Sequence, residues 1–214
     1  MNNPDPNPGP IPLDQQFFSR WAETKIHRHH LPHWSQNEVW CHATWRLADS
    51  IPADKLRVWH AQKKIWMEKN PPPWDESTEN EYHRVFSRQM EDWMDQGMGS
   101  CVLKTPENTR IVADALAFFN GERYSLAAFA VMPNHAHVLF SPRNGHAIAD
   151  IIKSWKGYTA NAINKRSGRQ GELWQEDYWD RLIRNEKHYH RVKAYVMNNP
   201  GKAGLKTGFF VWGA

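Results

Sequence analysis

The chain of 214 residues is short of cysteine, of long apolar runs and of glycine-rich phosphate-binding motifs. Its two cysteines, Cys41 and Cys101, lie far apart and outside any C-x-x-C pattern, which excludes a disulfide framework and a cysteine zinc site. No apolar run approaches the ~20 residues that a membrane-spanning helix needs, and the first residues lack the features of a signal peptide. We therefore expect a protein of the reducing cytoplasm that contacts no membrane. The absence of Walker and Rossmann patterns excludes the common nucleotide sites.

Charge is present in both signs but is unevenly distributed. Residues 141–214 hold 13 Lys and Arg against 6 Asp and Glu, whereas residues 1–140 hold 14 against 17. This asymmetry favours a C-terminal third that faces a polyanion, although charge also scatters in this way by chance. Residues 75–97 hold 7 acidic and 2 basic side chains, and we expect this acidic segment to stay away from nucleic acid.

Hydrophobic periodicity predicts a proline-rich N-terminal tail over residues 1–24 and a single α+β domain over residues 25–214, with a helical insertion at about 54–97. The order of elements favours an antiparallel sheet with helices packed on one face. Predicted strands cover 38–47, 101–103, 124–132, 135–140 and 174–182, and predicted helices cover 54–69, 77–96, 105–119, 145–165 and 185–199. Asn199-Pro200-Gly201 is expected to end the last helix.

The segment Val131 to Phe140, VMPNHAHVLF, carries a candidate metal site. Alternate residues of a strand point to the same face, so His135 and His137 project side by side while their neighbours face apolar packing. Two imidazoles in this arrangement can bind one divalent metal ion. An H-x-H pair is also compatible with structural or surface histidines, and both interpretations stay open on this motif alone.

The predicted last helix places a candidate nucleophile next to a candidate ligand. Tyr195 and Asn199 are four residues apart and share a helix face. A tyrosine hydroxyl can attack phosphorus, and an Asn carbonyl oxygen suits Mg²⁺ or Mn²⁺. The alternative is a core tyrosine followed by a helix-capping asparagine. Tyr158 could also be a nucleophile, but no metal-ligand residue follows it one turn on, which favours packing or DNA stacking.

Several further segments, together with these, resemble the REP-associated tyrosine transposases, bacterial relatives of the single-tyrosine HUH transposases of insertion sequences. The resemblance covers His30 to Leu205, in order and in register. It is carried by HLPHW, WRLADSIP, MGSCVLKTPENTRIVADALAFFNGERYSLAAF, MPNHAHVLF, SWKGYTANAIN, ELWQEDYWDRLIRNEKH and YVMNNPGKAGL.

The resemblance implies a ferredoxin-like (RRM-like) fold of the HUH transposase type and a metal-dependent DNA endonuclease and strand transferase. His135 and His137 would hold Mg²⁺ or Mn²⁺ with Asn199 as a third ligand, a position at which related enzymes more often carry Gln. Tyr195 would attack single-stranded DNA beside a REP-type hairpin and form a 5′-phosphotyrosine link. The resemblance also leaves open a monomer or a homodimer, and it implies association with the nucleoid when DNA is bound.

The basic C-terminal third supplies candidate DNA contacts. We expect basic side chains to contact phosphates and interleaved aromatic side chains to stack on unpaired bases. The predicted contacts are Lys153, Lys156, Trp155, Tyr158, Arg181 and Arg184. A solvated basic surface over a tryptophan-rich core is the alternative. Two other functions also remain open from the sequence, namely a non-catalytic hairpin-binding protein and a metal-binding hydrolase.

Overall fold

The computed structural model describes residues 16–19, 21–23, 25–28, 32–71 and 74–214. Most of the predicted N-terminal tail, including its proline-rich residues 1–12, lies outside the described residues. The strands are β1 (Lys25–Arg28), β2 (Pro32–Ser35), β3 (Cys41–Arg46), β4 (Tyr124–Val131), β5 (His135–Pro142), β6 (Trp179–Leu182) and β7 (Phe210–Gly213). The helices are α1 (Ala53–Lys69), α2 (Glu76–Tyr82), α3 (Arg88–Asp95), α4 (Pro106–Phe118), α5 (Ile148–Ser167) and α6 (Glu186–Lys202).

The central sheet has five antiparallel strands in the order β6-β3-β5-β4-β7. Helix α4 connects β3 to β4 in the chain and α5 connects β5 to β6, so β3, β4, β5 and β6 form the split βαβ arrangement of ferredoxin-like folds. The predicted α+β class is therefore confirmed. The hairpin of β1 and β2 forms a separate two-stranded sheet.

Helices cover both faces of the central sheet. Helices α4 and α5 pack on the face that carries Trp45, Val138 and Phe140, where the largest hydrophobic cluster lies. Helix α6 packs on the opposite face through Val196 and its neighbours, against alanines of β4. The predicted packing of helices on one face describes α4 and α5, whereas α6 and the insertion lie on the other face, which carries His135 and His137.

The predicted helical insertion is present and has its own apolar cluster. Ile51, Trp59, Phe86, Met90 and Met94 are each at most 3% exposed and pack together. Partly buried aromatic residues surround them, and these include Trp179 of β6, so the cluster extends onto the sheet. Between α2 and α3 the chain makes one wider, π-helical turn at His83–Ser87, so residues 76–95 form a continuous helical segment.

One predicted strand is wrong, several predicted bounds differ from the structure, and β1, β2 and β7 were not predicted. Residues 101–103 are not a strand, because Cys101 adopts φ +48 and the chain turns into a short 3₁₀ helix at Val102–Lys104. Residue Trp174 makes only an isolated bridge, and the strand begins at Trp179. Helix α5 begins at Ile148 rather than at residue 145. Helix α6 continues through Pro200 to Lys202, since the Ala203 N–H donates to the Asn199 carbonyl at 3.0 Å.

Candidate active site

The two histidines of the H-x-H motif converge on one point. His135 and His137 lie on β5 with both side chains on the α6 face, and each residue is 1% exposed. Their Nε2 atoms are 3.0 Å apart, and their rings are nearly perpendicular. Neutral imidazole nitrogens approach this closely when a proton or a cation lies between them.

Hydrogen bonds fix the orientation of both rings. The Asn134 amide nitrogen donates to the carbonyls of Met94 (3.1 Å) and Met98 (3.2 Å), so its oxygen accepts from His135 Nδ1–H at 2.7 Å. His137 Nδ1 pairs with the hydroxyl of Thr44 at 2.8 Å. Each Nδ1 atom is therefore occupied, which directs both Nε2 atoms to the shared point.

Burial keeps these imidazoles neutral. It lowers the pKa of His135 to about 3, with a smaller contribution from the nearby Lys202 ammonium. The pKa of His137 is also lowered, by burial first and then by His135, His42 and Lys202. His42, on β3, stacks against His137 with ring centroids 5.5 Å apart, and burial lowers its pKa to about 4. Neutral imidazole is the form that binds metal ions.

Helix α6 brings Tyr195 beside His137 and carries Asn199 one turn further along the same helix face. The helix begins at a capped N-terminus, where the Asn185 side chain accepts from the His188 N–H at 2.8 Å. The Tyr195 ring meets His137 edge-on at 5.5 Å between centroids. Asn199, one turn later, is 0% exposed, and neither polar atom of its side chain has a hydrogen-bond partner among the described residues. Asn199 lies within the helix, so it is not the helix cap that the sequence left open.

The Tyr195 hydroxyl is closed off from solvent. It lies beside the side chains of Glu91 and Asn199, without a hydrogen bond of normal geometry. The pKa of Tyr195 is raised, by burial first and then by the negative charges of Glu91 and Asp95. The hydroxyl is accordingly protonated in this arrangement, so its use as a nucleophile requires proton removal or a nearby cation.

A cation does lie close to the tyrosine. The Lys202 ammonium is 5.5 Å from the Tyr195 ring centroid, 3.3 Å from an Asp95 carboxylate oxygen and 4.0 Å from a Glu91 carboxylate oxygen. Glu91 and Asp95 belong to α3, the last helix of the acidic segment. That segment was expected to stay away from nucleic acid, and its last helix instead touches the candidate nucleophile.

The residues fit a divalent metal ion. Ligand atoms at right angles, each about 2.1 Å from a metal ion, are about 3.0 Å apart, which matches the spacing of the two Nε2 atoms. Asn199 offers a buried oxygen that has no other partner among the described residues. The described part of the chain contains no group of three or more His, Cys, Asp or Glu that could hold a metal ion. The candidate ligands remain the predicted set of His135, His137 and Asn199.

The predicted DNA-binding residues do not form one surface. Lys153, Lys156 and Tyr158 lie on α5, on the sheet face opposite the histidine pair. Tyr158 is 63% exposed, and Lys156 donates to the Glu176 carbonyl. Arg181 lies on β6 opposite His42 and contributes to the lowered pKa of that histidine, so it lies on the site face. Arg184 is exposed beyond the end of β6.

The prediction for Trp155 needs correction. Trp155 is 4% exposed, stacks against Trp45 with ring centroids 5.8 Å apart, and donates from Nε1 to the Tyr124 hydroxyl at 3.0 Å. Its indole ring is therefore part of the core and has no free face for a base.

Several residues of the site were not predicted from the sequence, and His42 of β3 is one of them. Asn134 lies within the quoted motif, and Lys202 follows Asn199 by three residues and Tyr195 by seven, a spacing that keeps it on the same helix face. Thr44, Glu91 and Asp95 carry no local signal, because only tertiary packing brings them to the histidines and Tyr195.

Comparison with protein families matches a segment that carries the residues of this site. Residues 102–199 match the model of the family described as "Transposase IS200 like". The matched residues include both histidines, Tyr195 and Asn199. This region, slightly less than half of the chain, is similar to the IS200-like transposases. The resemblance to tyrosine transposases seen in the sequence motifs is thereby confirmed.

Two curated proteins of Haemophilus influenzae resemble part of this chain. One is an uncharacterized protein, 27% identical, with 34% of this chain and 52% of the relative covered. The other is provisionally named a REP-associated tyrosine transposase, 26% identical, with 38% of this chain and 52% of the relative covered. The chain thus spans about half the length of the curated relatives that it matches.

Two solved structures are also similar. One is a REP-associated tyrosine transposase bound to a REP hairpin, with a TM-score of 0.44, 15% identity, and coverage of 85% of this chain and 75% of that chain. The other is a provisionally assigned transposase from Deinococcus radiodurans, with a TM-score of 0.32, 16% identity, and coverage of 77% and 92%. Among the described helices of this protein, none is long and apolar enough to cross a membrane.

Proposed function

We propose that this protein is a metal-dependent endonuclease and strand transferase for single-stranded DNA, and that it acts beside REP-type hairpins through a 5′-phosphotyrosine intermediate. The observation that carries the proposal is that two Nε2 atoms meet beside Tyr195, while the unpartnered Asn199 side chain lies one turn further along the same face of α6. The choice of hairpin is supported by the provisional name of one H. influenzae relative.

The residues divide the reaction between binding and attack. His135, His137 and Asn199 would hold Mg²⁺ or Mn²⁺. A metal ion held there would supply Lewis-acid chemistry for the scissile phosphate and the leaving oxygen. Asn134 and Thr44 keep the two imidazoles in the orientation that this requires.

The Tyr195 oxygen attacks the phosphorus atom in this proposal. A bond forms between the tyrosine oxygen and phosphorus, and the bond between phosphorus and the 3′ oxygen breaks. The phenolic proton leaves Tyr195, and the departing 3′ oxygen takes up a proton, which leaves a free 3′-OH and a 5′-phosphotyrosine link. Attack by a 3′-OH on that link reverses the step and joins strands without nucleotide hydrolysis, in agreement with the lack of a nucleotide-binding motif.

A cleavage assay tests the proposal. The protein is incubated with hairpin oligonucleotides that carry single-stranded flanks, with Mg²⁺, with Mn²⁺ or with EDTA, and products are separated on a denaturing gel. We expect a shortened strand with a 3′-OH and a protein-linked strand, both dependent on metal. A double-stranded oligonucleotide of the same sequence is the control, and it should not be cleaved.

The alternatives give different results in the same assay. Retention of the hairpin on a native gel without cleavage under any metal condition would favour a non-catalytic hairpin-binding protein. Cleavage without a protein-linked strand would favour hydrolysis by an activated water. Either result contradicts the proposed function.

A further inference from the structure

The reactive groups of the candidate site are closed to solvent. His135 and His137 are 1% exposed, and the Tyr195 hydroxyl and the polar side-chain atoms of Asn199 have almost no accessible surface. A phosphodiester cannot reach these atoms in the arrangement described here. The binding of a DNA strand therefore requires that a neighbouring element gives up its contacts with the site.

Helix α3 supplies the contacts that cover the tyrosine. Glu91 and Asp95, one turn apart on α3, face the C-terminal turn of α6, and both carboxylates are close to the Lys202 ammonium. Glu91 also lies beside the Tyr195 hydroxyl. A phosphate at this hydroxyl would face two carboxylates, and like charges repel at such distances. The carboxylates of Glu91 and Asp95 occupy the place beside the Lys202 ammonium that a phosphate would otherwise take.

Lys202 is the cation that an incoming phosphate would meet. It lies on the same face of α6 as Tyr195 and Asn199, and its ammonium group is 5.5 Å from the tyrosine ring centroid. The ammonium also lies close enough to the histidine pair to lower the pKa of both imidazoles. A positive charge this close to the candidate nucleophile has the chemistry of a phosphate-binding group.

We propose that Lys202 binds a phosphate of the single-stranded DNA next to Tyr195, and that Asp95 and Glu91 hold this ammonium group until the DNA displaces them. The inference rests on the proposed function, since the ligand is the strand that Tyr195 would cleave. The carboxylates and the phosphate compete for one cation, so the acidic insertion lowers the affinity of the site for DNA.

A double-mutant cycle separates this role from a structural one. Fluorescence anisotropy measures binding of a labelled hairpin with a single-stranded flank, in EDTA and in a Tyr195→Phe background, so that neither metal nor covalent attachment contributes. Lys202→Met is measured in the parent and in an Asp95→Asn/Glu91→Gln variant. Lys202→Arg retains the charge. Arg110→Met is the matched control, because Arg110 forms an exposed 2.8 Å ion pair with Asp114 on α4, on the opposite face of the sheet.

Each arm of the cycle has an expected value. Loss of one phosphate contact to a single strand lowers the slope of log affinity against log salt by about 0.7, which is about fivefold in affinity at ~0.1 M salt. We expect this loss for Lys202→Met in both backgrounds, recovery in Lys202→Arg, and little change for Arg110→Met. The Asp95→Asn/Glu91→Gln variant should bind the hairpin several-fold more tightly than the parent. Thermal melting checks that every variant is folded.

Two outcomes would overturn the inference. If Lys202→Met has no effect once both carboxylates are neutralised, Lys202 only anchors α3. If neutralising the carboxylates weakens binding, they do not compete with DNA. Both results concern affinity in EDTA, so they are independent of cleavage. If the affinities follow the expected pattern but the hairpin is not cleaved, only the proposed nuclease activity is contradicted. If the hairpin is cleaved but the affinities do not follow the pattern, only the proposed role of Lys202 is contradicted.

Discussion

Acid should destabilise this fold through the buried histidine pair. Burial lowers the pKa of His135 to about 3 and also lowers that of His137, whereas an unfolded chain titrates its histidines near pH ~6.5. Between these values the unfolded state binds protons that the folded state excludes. The stabilising effect of the neutral pair is therefore complete above pH ~6.5 and is lost progressively as the pH falls below it.

The magnitude follows from this difference in proton binding. For one group with a folded pKa near 3 and an unfolded pKa near 6.5, the free energy of unfolding falls by about 1 kcal/mol between pH ~6.5 and pH ~5.5. The pair together should account for about 2 kcal/mol over this interval. The other ten histidines are present in both the parent and a variant that lacks only this pair, so the comparison isolates the pair together with its effect on the adjacent His42.

Urea unfolding at three pH values between 5.5 and 7.5, in EDTA, measures the effect. The parent is compared with a His135→Gln/His137→Gln variant, and the quantity of interest is the difference in pH dependence rather than in absolute stability. We expect the parent to lose about 2 kcal/mol more than the variant between pH ~6.5 and pH ~5.5. An equal loss in both proteins would mean that the pair is not held neutral by burial.

Three further substitutions test the structure at separate points. Asn199→Leu should leave the free energy of unfolding unchanged or raise it by up to about 1 kcal/mol, because it removes buried polar atoms that have no partners. The same substitution should weaken Mn²⁺ binding, measured by calorimetry, by about tenfold or more. Trp155→Phe should cost about 2 kcal/mol in urea unfolding and leave hairpin affinity unchanged, since the indole is buried. Gly99→Ala should destabilise the protein more than Gly97→Ala. Both glycines have positive φ, but only at Gly99 would a Cβ atom lie 2.4 Å from the Asp49 carbonyl oxygen. We expect urea unfolding to show a loss of about 3 kcal/mol for Gly99→Ala and about 1 kcal/mol for Gly97→Ala.

Local sequence patterns predicted the parts of the site that single elements carry. Alternation along β5 placed His135 and His137 on one face of the strand, and helical spacing placed Tyr195 and Asn199 on one face of α6. These relations need only the period of a strand or a helix. The structure then brings the two elements together, as the family resemblance implies.

Contacts between distant segments could not be predicted in this way. Thr44 pairs with His137 across 93 residues of chain, through the register of β3 and β5. Asp95 meets Lys202 because the apolar cluster of the insertion positions α3 against α6. The acidic composition of residues 75–97 predicted distance from DNA, and composition carries no information on which face of the sheet the segment covers.

Propensity also failed where a backbone constraint prevailed. Residues 101–103 are apolar enough for a strand, but the left-handed conformation of Cys101 turns the chain, and the Leu103 N–H donates to the Pro133 carbonyl. Pro200 does not end α6, because a proline in the last turn removes one donor while the following residues still bond to the carbonyls before them. Lys202 reaches the site because the helix continues past this proline.

Mapping of the covalent link tests the central claim most directly. A hairpin oligonucleotide is reacted with the protein in Mn²⁺, the adduct is digested with protease and nuclease, and the modified peptide is sequenced by mass spectrometry. We predict a nucleotide 5′-phosphate on Tyr195, no adduct in Tyr195→Phe, and an unchanged adduct in Tyr158→Phe. A phosphotyrosine at any other position, or an adduct that persists in Tyr195→Phe, would contradict the assignment of the nucleophile.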